Sequence, residues 1–593
     1  MEEVYLRVDL DTNDDDAGGG ADATFDLTDV SGVSQVWADR VVSDSNDDTL
    51  TVDNLSLDTT VGVRGGADAT RAVLVYDFDG TTGTSDSATL ALDGGVAQDV
   101  TIDGVESIAI SVTGETASDL AALTASTLET LTVSGSANLT ISDVDGDGDD
   151  VITTIDASDA TGDVNVAGIN AAIETVNGGS GDDVFGFSAN LDEDVTVNGG
   201  DGADRVAVTA DDITLSDLDL SSVEAVEVDG NAAADTIDFA DTTLNAIVDA
   251  ANAETLSNLG VSASVTLTGT AAGATTVGYD GVADPGSTSD EVTITLGDAV
   301  NDAAYDGGTN ALTVDGVETL NFVSSIGAND LGDLDGDAAE TVTFTGEENV
   351  SADFLAAMAA LDNVDASGLT GDATANLDLS AVANATRVTV KGTGNDDTIV
   401  VDSGNANENH DIEGGAGADT ITLTDATAAG NARVVYNSTS DGGAALSADL
   451  AAGDVISFFG TAANAASDDD VVISGELADS LEGNGSVADN VAAGAVNLDG
   501  GDGIFIMADD GLDIAGGDNI NFTEVQADIG ALSNETVGDA AIFVLTDDAD
   551  DDAAIYGFNS VTADDEVTQD EIQLLGSVVS GDGDFAANDI EAI

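Results

Sequence analysis

The sequence predicts an all-β fold made of parallel β-helix or β-roll-like solenoid modules, and three observations support this prediction. Apolar residues alternate with Thr or Asp in many short runs, such as Leu131-Thr-Val-Ser and Glu291-Val-Thr-Ile-Thr-Leu. Clusters of Gly, Asp and Asn separate the runs at roughly 8 to 12 residues, as turns between strands do. The single proline, Pro285, leaves room for long uninterrupted strand ladders.

Two repeats give the length of one coil of the predicted solenoid. The phrase apolar-Glu-Ser/Thr-apolar recurs, with Glu106 and Glu129 23 residues apart and Glu318 and Glu340 22 residues apart. Repetition at such a period is typical of solenoids, in which each coil buries its apolar face against its neighbours. We therefore expect the copies of this phrase to stack as one strand per coil.

A longer echo and a few helical patterns complete the organisation. Residues 99–108 resemble residues 311–320, which indicates duplicated modules. Ala and Leu spacing predicts a few short helices within Thr116–Thr124, Leu244–Asn258 and Ser351–Leu361. The pattern weakens near 281–290 and 479–485, where we place soft boundaries. The predicted domains are solenoid modules at 1–285 and 286–482 and a C-terminal β-domain at 483–593.

The charge balance excludes several classes of partner. The chain has 118 acidic and only 8 basic residues among 593, for a formal charge of −110, so cations must come from solvent. Such a field repels phosphate backbones and anionic lipids, which argues against nucleic-acid binding and polybasic membrane docking. Hydrophobic residues are 42% of the chain, enough to build packed strands once the charge is neutralised. Cysteine is absent, and no stretch is long and apolar enough for membrane insertion.

Four short loops rich in Gly and Asp supply the main candidate site, at 177–183, 198–204, 391–397 and 413–419. Glycines allow tight turns that aim carbonyl oxygens at one point, and aspartate adds an anionic oxygen, which is the donor set that calcium prefers. The candidate ligand residues are Gly179, Gly181, Asp183, Gly200, Gly202, Asp204, Gly392, Gly394, Asp396, Asp397, Gly415, Gly417 and Asp419. The alternative is that the loops are only tight solenoid corners.

Other acidic or catalytic candidates are weaker. Asp143, Asp145 and Asp147 have the first spacings of an EF-hand loop, but Thr154 stands at its twelfth position and no helix pattern flanks it. We expect at most a calcium loop of another geometry there. His410 is the only histidine, so His-rich zinc sites are excluded and a Ser-His-Asp arrangement would depend on one residue. We expect a structural role for His410 and no enzymatic activity.

The four loops resemble the nonapeptide repeats Gly-Gly-x-Gly-x-Asp-x-apolar-x of the RTX family. Three loops match at every specified position, whereas at 391–399 Gly392 fits with either Gly394–Asp396 or Asp397–Ile399. The resemblance implies parallel β-rolls that hold multiple Ca²⁺ ions. In this chain the motifs come in two pairs, each one coil apart, rather than in a continuous series.

The C-terminal segment has a second resemblance. Ala541–Leu545, Ala554–Phe558 and Asp570–Val578 look like the closing segment of proteins exported by type I secretion. Residues 1–7 show neither the basic nor the apolar region of a signal peptide, so we expect secretion without an N-terminal signal. Low calcium inside the cell and millimolar calcium outside would then confine folding to the exterior.

Acidity, absence of cysteine and abundance of Thr, Ala, Gly and Asp make the chain similar to calcium-dependent surface-layer (S-layer) proteins of Gram-negative bacteria. This resemblance implies a structural protein that self-assembles into an extracellular layer or related array on the cell surface. The implied partners are other copies, in a lattice or filament, and cell-surface polysaccharide or lipopolysaccharide. Alternatives are a secreted RTX adhesin or biofilm-matrix or filament protein, a secreted RTX hydrolase, and a salt-adapted protein with little specific calcium.

Overall fold

The chain divides into two compact units in a computed structural model, one of residues 1–249 and 255–263 and the other of residues 250–254 and 264–593. Each unit is a β-solenoid; together they contain about 14 turns, and helix accounts for 2% of the residues. The predicted all-β solenoid fold is confirmed, while the boundaries near 281–290 and 479–485 stay predictions. The structure describes residues 2–10, 22–42, 48–65, 73–94, 99–144, 151–187, 195–208, 213–215, 218–228, 235–240, 243–249, 253–282, 290–297, 303–382, 387–402, 409–424, 431–438, 441–442, 454–459, 469–474, 486–488, 502–508, 522–533, 540–546, 552–561, 567–569, 571–580 and 590–592.

The first unit is built from parallel ladders to which each coil adds one strand. One ladder has ten strands, in the order β1-β3-β5-β7-β9-β12-β14-β16-β18-β21. The first coils also contribute strands to a five-stranded sheet, β11-β8-β6-β4-β2. Later coils contribute strands to a third ladder, which begins β10-β13-β15-β17-β19. The strands, in chain order, are β1 (Glu2–Asp9), β2 (Asp22–Asp26), β3 (Val33–Val42), β4 (Thr49–Ser56), β5 (Thr60–Arg64), β6 (Val73–Asp79), β7 (Ser87–Asp93), β8 (Val100–Thr101), β9 (Ser107–Thr113), β10 (Ser118–Leu120), β11 (Leu123–Thr124), β12 (Thr130–Gly135), β13 (Leu139–Ile141), β14 (Thr154–Ala160), β15 (Val164–Ile169), β16 (Thr175–Asn177), β17 (Val184–Phe187), β18 (Thr196–Asn198), β19 (Arg205–Val208), β20 (Ile213–Thr214), β21 (Asp219–Ser221), β22 (Ala225–Val228), β23 (Asp235–Asp238), β24 (Asn245–Asp249) and β25 (Glu254–Leu259).

The second unit has two main parallel ladders of the same kind. One runs β26-β28-β31-β33-β35-β37-β39-β41-β43-β49 and the other runs β30-β32-β34-β36-β38-β40-β42-β48. Its elements, in chain order, are β26 (Val265–Thr270), β27 (Thr275–Tyr279), β28 (Glu291–Leu296), β29 (Tyr305–Asp306), β30 (Ala311–Thr313), β31 (Thr319–Ser324), β32 (Asn329–Asp335), β33 (Thr341–Gly346), β34 (Val350–Phe354), β35 (Asn363–Leu369), β36 (Ala375–Leu379), β37 (Thr389–Lys391), β38 (Thr398–Val401), β39 (Asn409–Glu413), β40 (Thr420–Leu423), β41 (Asn431–Tyr436), β42 (Asp454–Phe459), β43 (Asp470–Ile473), β44 (Ser486–Ala488), β45 (Asp502–Ala508), α1 (Phe522–Ile529), β46 (Ala540–Thr546), β47 (Asp552–Asn559), β48 (Ile572–Ser580) and β49 (Ile590–Ala592).

The core of each unit is a set of apolar columns with one residue per coil. In the second unit one column contains Leu320, Val342, Val364, Val390 and Ile412, all fully buried and paired in register from strand to strand. Every second residue of β28 is buried, while Glu291 and Thr293 are exposed and Thr295 is half-buried, as the alternation predicted. Burial of one face per strand, repeated coil by coil, is therefore what holds the solenoid together.

The predicted coil length is confirmed by the hydrogen bonds between copies of the Glu-Ser/Thr phrase. The backbone N–H of Glu129 donates to the carbonyl oxygen of Glu106 at 2.9 Å, and that of Glu340 donates to Glu318 at 2.8 Å. The resembling segments 99–108 and 311–320 also share a turn conformation. Gly104 and Gly316, at equivalent positions in the two segments, both adopt φ of +80°.

The three helices predicted from Ala and Leu spacing are wrong. Thr116–Thr124 contains β10 and β11, Leu244–Asn258 contains β24 and β25, and Ser351–Leu361 contains most of β34 followed by turns. Burial in β34 alternates strictly, so Val350, Ala352 and Phe354 face the core. Hydrogen bonds to neighbouring coils satisfy these backbones, and this tertiary context outweighs a weak helical propensity.

The strands after β43 form a mixed sheet with a helix packed on it. β46, β47 and β48 are antiparallel neighbours, and β48 pairs in parallel with β42 of the solenoid. The side chains of Val525 and Ile529 on α1 are buried against Phe543, Tyr556 and other apolar residues of this sheet. No helix in the described part of the chain is long and apolar enough to span a bilayer.

Candidate metal centre

The four Gly-Asp loops are stacked corners of the solenoids. In the first unit they connect β16 to β17 and β18 to β19, and in the second unit β37 to β38 and β39 to β40. Asn177 pairs with Asn198 before the loops of the first unit, and Lys391 pairs with Glu413 before those of the second. The loops of each pair therefore lie one coil apart and in register, so that the same positions face one another.

Glycine allows the backbones of stacked loops to touch. A Cβ added to Gly200 would lie 2.1 Å from the carbonyl oxygen of Gly179, and one added to Gly415 would lie 1.8 Å from that of Thr393. The second loop of each pair also uses left-handed backbone: φ is 112° at Gly200, 135° at Gly202, 104° at Gly415 and 136° at Gly417. No L side chain fits Gly200 or Gly415 without displacing the preceding loop.

The aspartate that closes each loop is buried, and its carboxylate accepts a hydrogen bond from the backbone of the preceding coil. Exposure is 0% for Asp183, 1% for Asp204, 2% for Asp397 and 0% for Asp419. The backbone N–H of Asp183 donates to Asp204 Oδ1 at 2.8 Å, and that of Asp397 donates to Asp419 Oδ1 at 2.9 Å. Each carboxylate thus satisfies a buried N–H one coil away, which is a structural role in addition to any role in metal binding.

In the first loop of each pair, the second carboxylate oxygen is also satisfied. Asp183 Oδ2 accepts a hydrogen bond from the N–H of Gly179 at 2.6 Å, and Asp397 Oδ2 accepts one from the N–H of Thr393. The hydroxyl of Thr393 adds a further donor to Asp397 Oδ1 at 2.9 Å. These two carboxylates therefore have donors for both oxygens within the protein.

The second loop of each pair differs at this oxygen. Asp204 Oδ2 and Asp419 Oδ2 are buried and accept no hydrogen bond from any residue that the structure describes. Both point at the first glycine of their own loop, 2.5 Å and 2.1 Å from where a Cβ would stand on Gly199 and Gly414. A buried anionic oxygen without a donor is strongly unfavourable unless a cation or a proton neutralises it.

Two residues outside the motifs extend these rows of carboxylates. Glu224 Oε2 accepts a hydrogen bond from the N–H of Asp204 at 2.7 Å, and Asp454 Oδ1 accepts one from the N–H of Asp419 at 2.9 Å. We call Asp183, Asp204 and Glu224 the first carboxylate ladder, and Asp397, Asp419 and Asp454 the second. Sequence reasoning missed both end residues. The only signal for Asp454 is that Asp454-Val-Ile has the same Asp-x-apolar pattern as Asp419-Thr-Ile, which leads into β40.

Burial makes the charged form of these carboxylates unfavourable. It raises the pKa of Asp204 and that of Asp397 to about 6, against the backbone hydrogen bonds that lower both values. Burial also raises the pKa of Asp419, and the neighbouring negative charge of Asp397 adds to this increase. At neutral pH the ladders therefore favour a bound positive charge.

The protein's own cations are engaged elsewhere. The described basic side chains ion pair with acids of neighbouring coils: Arg7 with Asp39, Arg64 with Asp93, Arg205 with Glu227, Lys391 with Glu413, and Arg387 and Arg433 with Asp411. In the part of the chain that the structure describes, none of them pairs with a ladder carboxylate. Among the described residues, therefore, no basic side chain compensates the charge of the ladders.

The structure decides between the two registers proposed for 391–399. Thr398 pairs with Thr420, so Asp397 occupies the position of Asp419 in the second ladder. Asp396 lies on the outside, where its Oδ1 accepts a hydrogen bond from the N–H of Ala418 at 2.8 Å. Gly394 has open space where a Cβ would stand, unlike the other loop glycines. Asp397 rather than Asp396 is therefore the buried candidate ligand.

Two further predicted residues lie apart from the ladders. Asp143 is half-buried in a turn after β13, while Asp145 and Asp147 lie outside the described residues, so this candidate loop stays a prediction. His410 is buried on β39, and its Nε2 lies 3.0 Å from the carbonyl oxygen of Asp402. Burial lowers the pKa of His410, which favours a neutral imidazole.

The donor set fits a hard cation such as calcium, with backbone and water as partners. Among the described residues no group of three or more acidic or His side chains is placed to hold a metal ion. Asp204 Oδ2 and Asp419 Oδ2 each offer one orphaned anionic oxygen inside a glycine loop, where carbonyl oxygens approach closely. Calcium accepts such mixed oxygen ligands, so the second loop of each pair is the better candidate.

No protein-family model and no curated protein matches this chain. The stacked parallel coils are consistent with an RTX-type β-roll, and a β-solenoid is typical of structural proteins rather than of enzymes. Any functional assignment therefore depends on the fold, the charge and the two ladders.

Proposed function

We propose that this chain is a calcium-dependent structural protein that self-assembles into an extracellular surface layer or a related array. The observation that supports this most directly is the pair of buried, donor-free oxygens, Asp204 Oδ2 and Asp419 Oδ2, in a chain of formal charge −110. Bound calcium would supply the positive charge that lets these carboxylates stay ionised in the folded state.

The protein's own part in this process is to bring carboxylates together in a defined order. Glycines at 199, 200, 414 and 415 let adjacent coils stack closely enough for one carboxylate per coil to align. The outer faces of the coils carry Asp, Glu and Thr between the buried positions, so the surface stays strongly anionic. Divalent cations shared between such faces are our proposed means of joining copies into a lattice or filament.

Export fits the same account. A chain with this charge is less stable in the folded state where calcium is scarce, and β46 to β48 include the segment that resembles type I secretion endings. We therefore propose an extracellular, cell-surface location, with cell-surface polysaccharide or lipopolysaccharide as a further partner. We propose a structural rather than an enzymatic role, of which a β-solenoid fold is typical.

Negative-stain electron microscopy of the purified chain tests this proposal. We expect ordered sheets or filaments in millimolar calcium, and dispersed particles after excess chelator or in an Asp204→Asn/Asp419→Asn double variant. An Asp280→Asn variant should assemble normally, because Asp280 is exposed in a turn after β27, several coils before the second ladder. Arrays that survive excess chelator would contradict the proposal.

The principal alternative is a secreted adhesin or biofilm-matrix protein, which shares the fold and the ions. It predicts calcium-dependent folding of isolated particles that bind a foreign surface but form no array. Equal folding in potassium chloride and calcium chloride would instead favour salt adaptation with little specific calcium.

A further inference from the structure

The second carboxylate ladder ends beneath a strand that belongs to the C-terminal sheet. Asp454, at the start of β42, pairs in register with Gly576 of β48, and the hydroxyl of Ser577 donates to the carbonyl oxygen of Asp454 at 3.3 Å. Exposure of Asp454 is 1%, although it lies in no Gly-Asp motif. The last carboxylate of this ladder is therefore closed off from solvent at the contact between solenoid and β48.

Two buried carboxylates and a buried hydroxyl lie near one another at this place. Asp419 Oδ2 accepts no hydrogen bond from a described residue, and the hydroxyl of Tyr436 interacts with the carboxylate of Asp454 beside it without good hydrogen-bond geometry. Tyr436 is 1% exposed, and its hydroxyl oxygen would lie 2.4 Å from a Cβ added to Gly576. Buried carboxylate oxygens are rarely left without a well-aligned partner, so Asp419 Oδ2 and Asp454 Oδ2 together point to a missing ligand.

The charges around these oxygens favour a cation. Asp441 lies near the pocket and accepts hydrogen bonds from the N–H groups of Asn437 and Ser438 at 2.7 and 2.9 Å. The three basic residues of this unit ion pair with Asp411 and Glu413 instead. Burial, reinforced by the charge of Asp419, raises the pKa of Asp454, which shows how unfavourable its charge is without compensation.

We infer that Asp419, Asp454 and Tyr436 form a buried cation site, suited to calcium, that fastens strand β48 to the solenoid. Two carboxylate oxygens and a phenolic oxygen are hard donors, and backbone carbonyls at the corner can complete the coordination. Because β48 is the partner of β47, and β47 of β46, a cation here would couple metal binding to docking of the C-terminal sheet. The choice of calcium, though not the site itself, rests on the proposed function.

Hydrogen exchange of the full chain, measured by mass spectrometry with and without calcium, tests this site. In wild-type protein, amides of 572–580 should exchange about tenfold more slowly when free calcium is about ten times its Kd. An Asp454→Asn variant should lose this protection, while the control Asp280→Asn should keep it. Calcium-dependent protection near Asp204, in the other unit, should persist in both variants.

Terbium luminescence gives a second readout that does not depend on stability. Tb³⁺ is a stand-in for Ca²⁺, and Tyr436 would sensitise an ion bound beside it. We expect Tyr436→Phe to remove most of the tyrosine-sensitised emission that calcium competes away, with the C-terminal sheet still folded. Emission unchanged in both Tyr436→Phe and Asp454→Asn would overturn the proposal.

The pocket could hold a proton in place of a metal ion, and hydrogen exchange distinguishes the two. If Asp454→Asn protects 572–580 without calcium and removes any response to it, the pocket holds a proton rather than a metal, and the inference is wrong. The proposed function is scored separately by electron microscopy. If arrays form normally but hydrogen exchange of 572–580 does not change with calcium, this site alone is rejected. If no arrays form but exchange of 572–580 still slows with calcium, the proposed function alone is rejected.

Discussion

At the scale of single residues, the backbone conformation of a loop glycine decides whether its N–H donates a hydrogen bond to the aspartate that closes the loop. Gly179 keeps an ordinary backbone conformation and donates its N–H to Asp183, whereas Gly200 adopts φ of 112° and leaves Asp204 Oδ2 without a donor. The same contrast separates Thr393 from Gly415. Sequence could identify Asp204 and Asp419 as candidates, but it could not distinguish the two loops of a pair, because the difference arises only when one loop stacks on another.

Replacing the stacked glycines tests this distinction. Gly415→Ala should destabilise the calcium-saturated protein by roughly 1–3 kcal/mol, since its left-handed φ and the adjacent Thr393 carbonyl both exclude a side chain. Gly394→Ala is the matched control in the same pair of loops, because its Cβ would meet nothing within 4 Å. Chemical unfolding followed by circular dichroism measures both; equal stability of the two variants would contradict the stacked geometry.

The raised pKa values of the ladder carboxylates predict the direction of pH dependence without calcium. Between the ordinary value of 3.8 and the folded pKa of about 6 at Asp204 and Asp397, the folded state binds more protons than the unfolded state. Stability should therefore fall as pH rises through this interval. The lowered pKa of His410 opposes the trend, since unfolded histidine binds protons first on acidification.

Thermal unfolding in chelator between pH 5 and pH 7 checks this prediction. The expected result is a lower unfolding temperature at pH 7, and a smaller pH effect in the Asp204→Asn variant. Saturating calcium should flatten the dependence, because the ion takes the place of the proton. A chelated protein that becomes steadily more stable towards pH 7 would show that the ladder carboxylates are not the dominant titrating groups.

At the scale of elements, two-residue alternation gave the right structure and three-to-four-residue spacing gave the wrong one. Glu291–Leu296 was bounded correctly from Val, Ile and Leu alternating with Glu and Thr. Ser351–Leu361 looked helical because Ala and Leu suit helices, yet β34 occupies its start. Which period applies depends on the ladder already present on the adjacent coil, and that information is absent from a local window.

Core columns should be sensitive at single positions. Phe322 and Phe344 stack on adjacent coils with ring centroids 5.6 Å apart, and both are fully buried. Phe344→Ala should cost about 3–5 kcal/mol, because it leaves a cavity in a column that neighbouring coils cannot fill. Hydrogen exchange should show the largest loss of protection in β31, β33 and β35, as expected for nearest-neighbour stabilisation. Val561→Ala, at an exposed position, is the control.

At the scale of the whole molecule, charge and fold impose opposite demands. The apolar columns favour compaction, whereas 118 acidic residues against 8 basic ones oppose it. Composition alone predicted this conflict, whereas its resolution by solvent cations stays a prediction. It could not predict that ladders of buried carboxylates would concentrate part of the conflict at a few corners, since Glu224 and Asp454 reach those corners only through the coiling of the chain.

Ion-specific compaction separates site binding from general screening. We expect small-angle scattering to show a smaller radius of gyration in about 1 mM calcium, in the range that extracellular modules use, than in potassium chloride of equal ionic strength. The Asp204→Asn/Asp419→Asn variant should need more calcium than wild type or Asp280→Asn. Identical compaction by both salts would indicate that screening alone is sufficient.

The register of the apolar columns has a consequence for how such a chain can change its length. Leu320 and Val342 are equivalent positions on successive coils, whereas Arg433 and its partner Asp470 lie 37 residues apart on adjacent strands. Successive coils can thus differ in length while their strands stay in register, and in-frame duplication or deletion of one complete repeat would leave every remaining pairing intact. Genetic variation in a solenoid of this kind should therefore accumulate as whole repeats and as insertions between strands. A peptide tag introduced between two strands should leave the strand ladders unchanged.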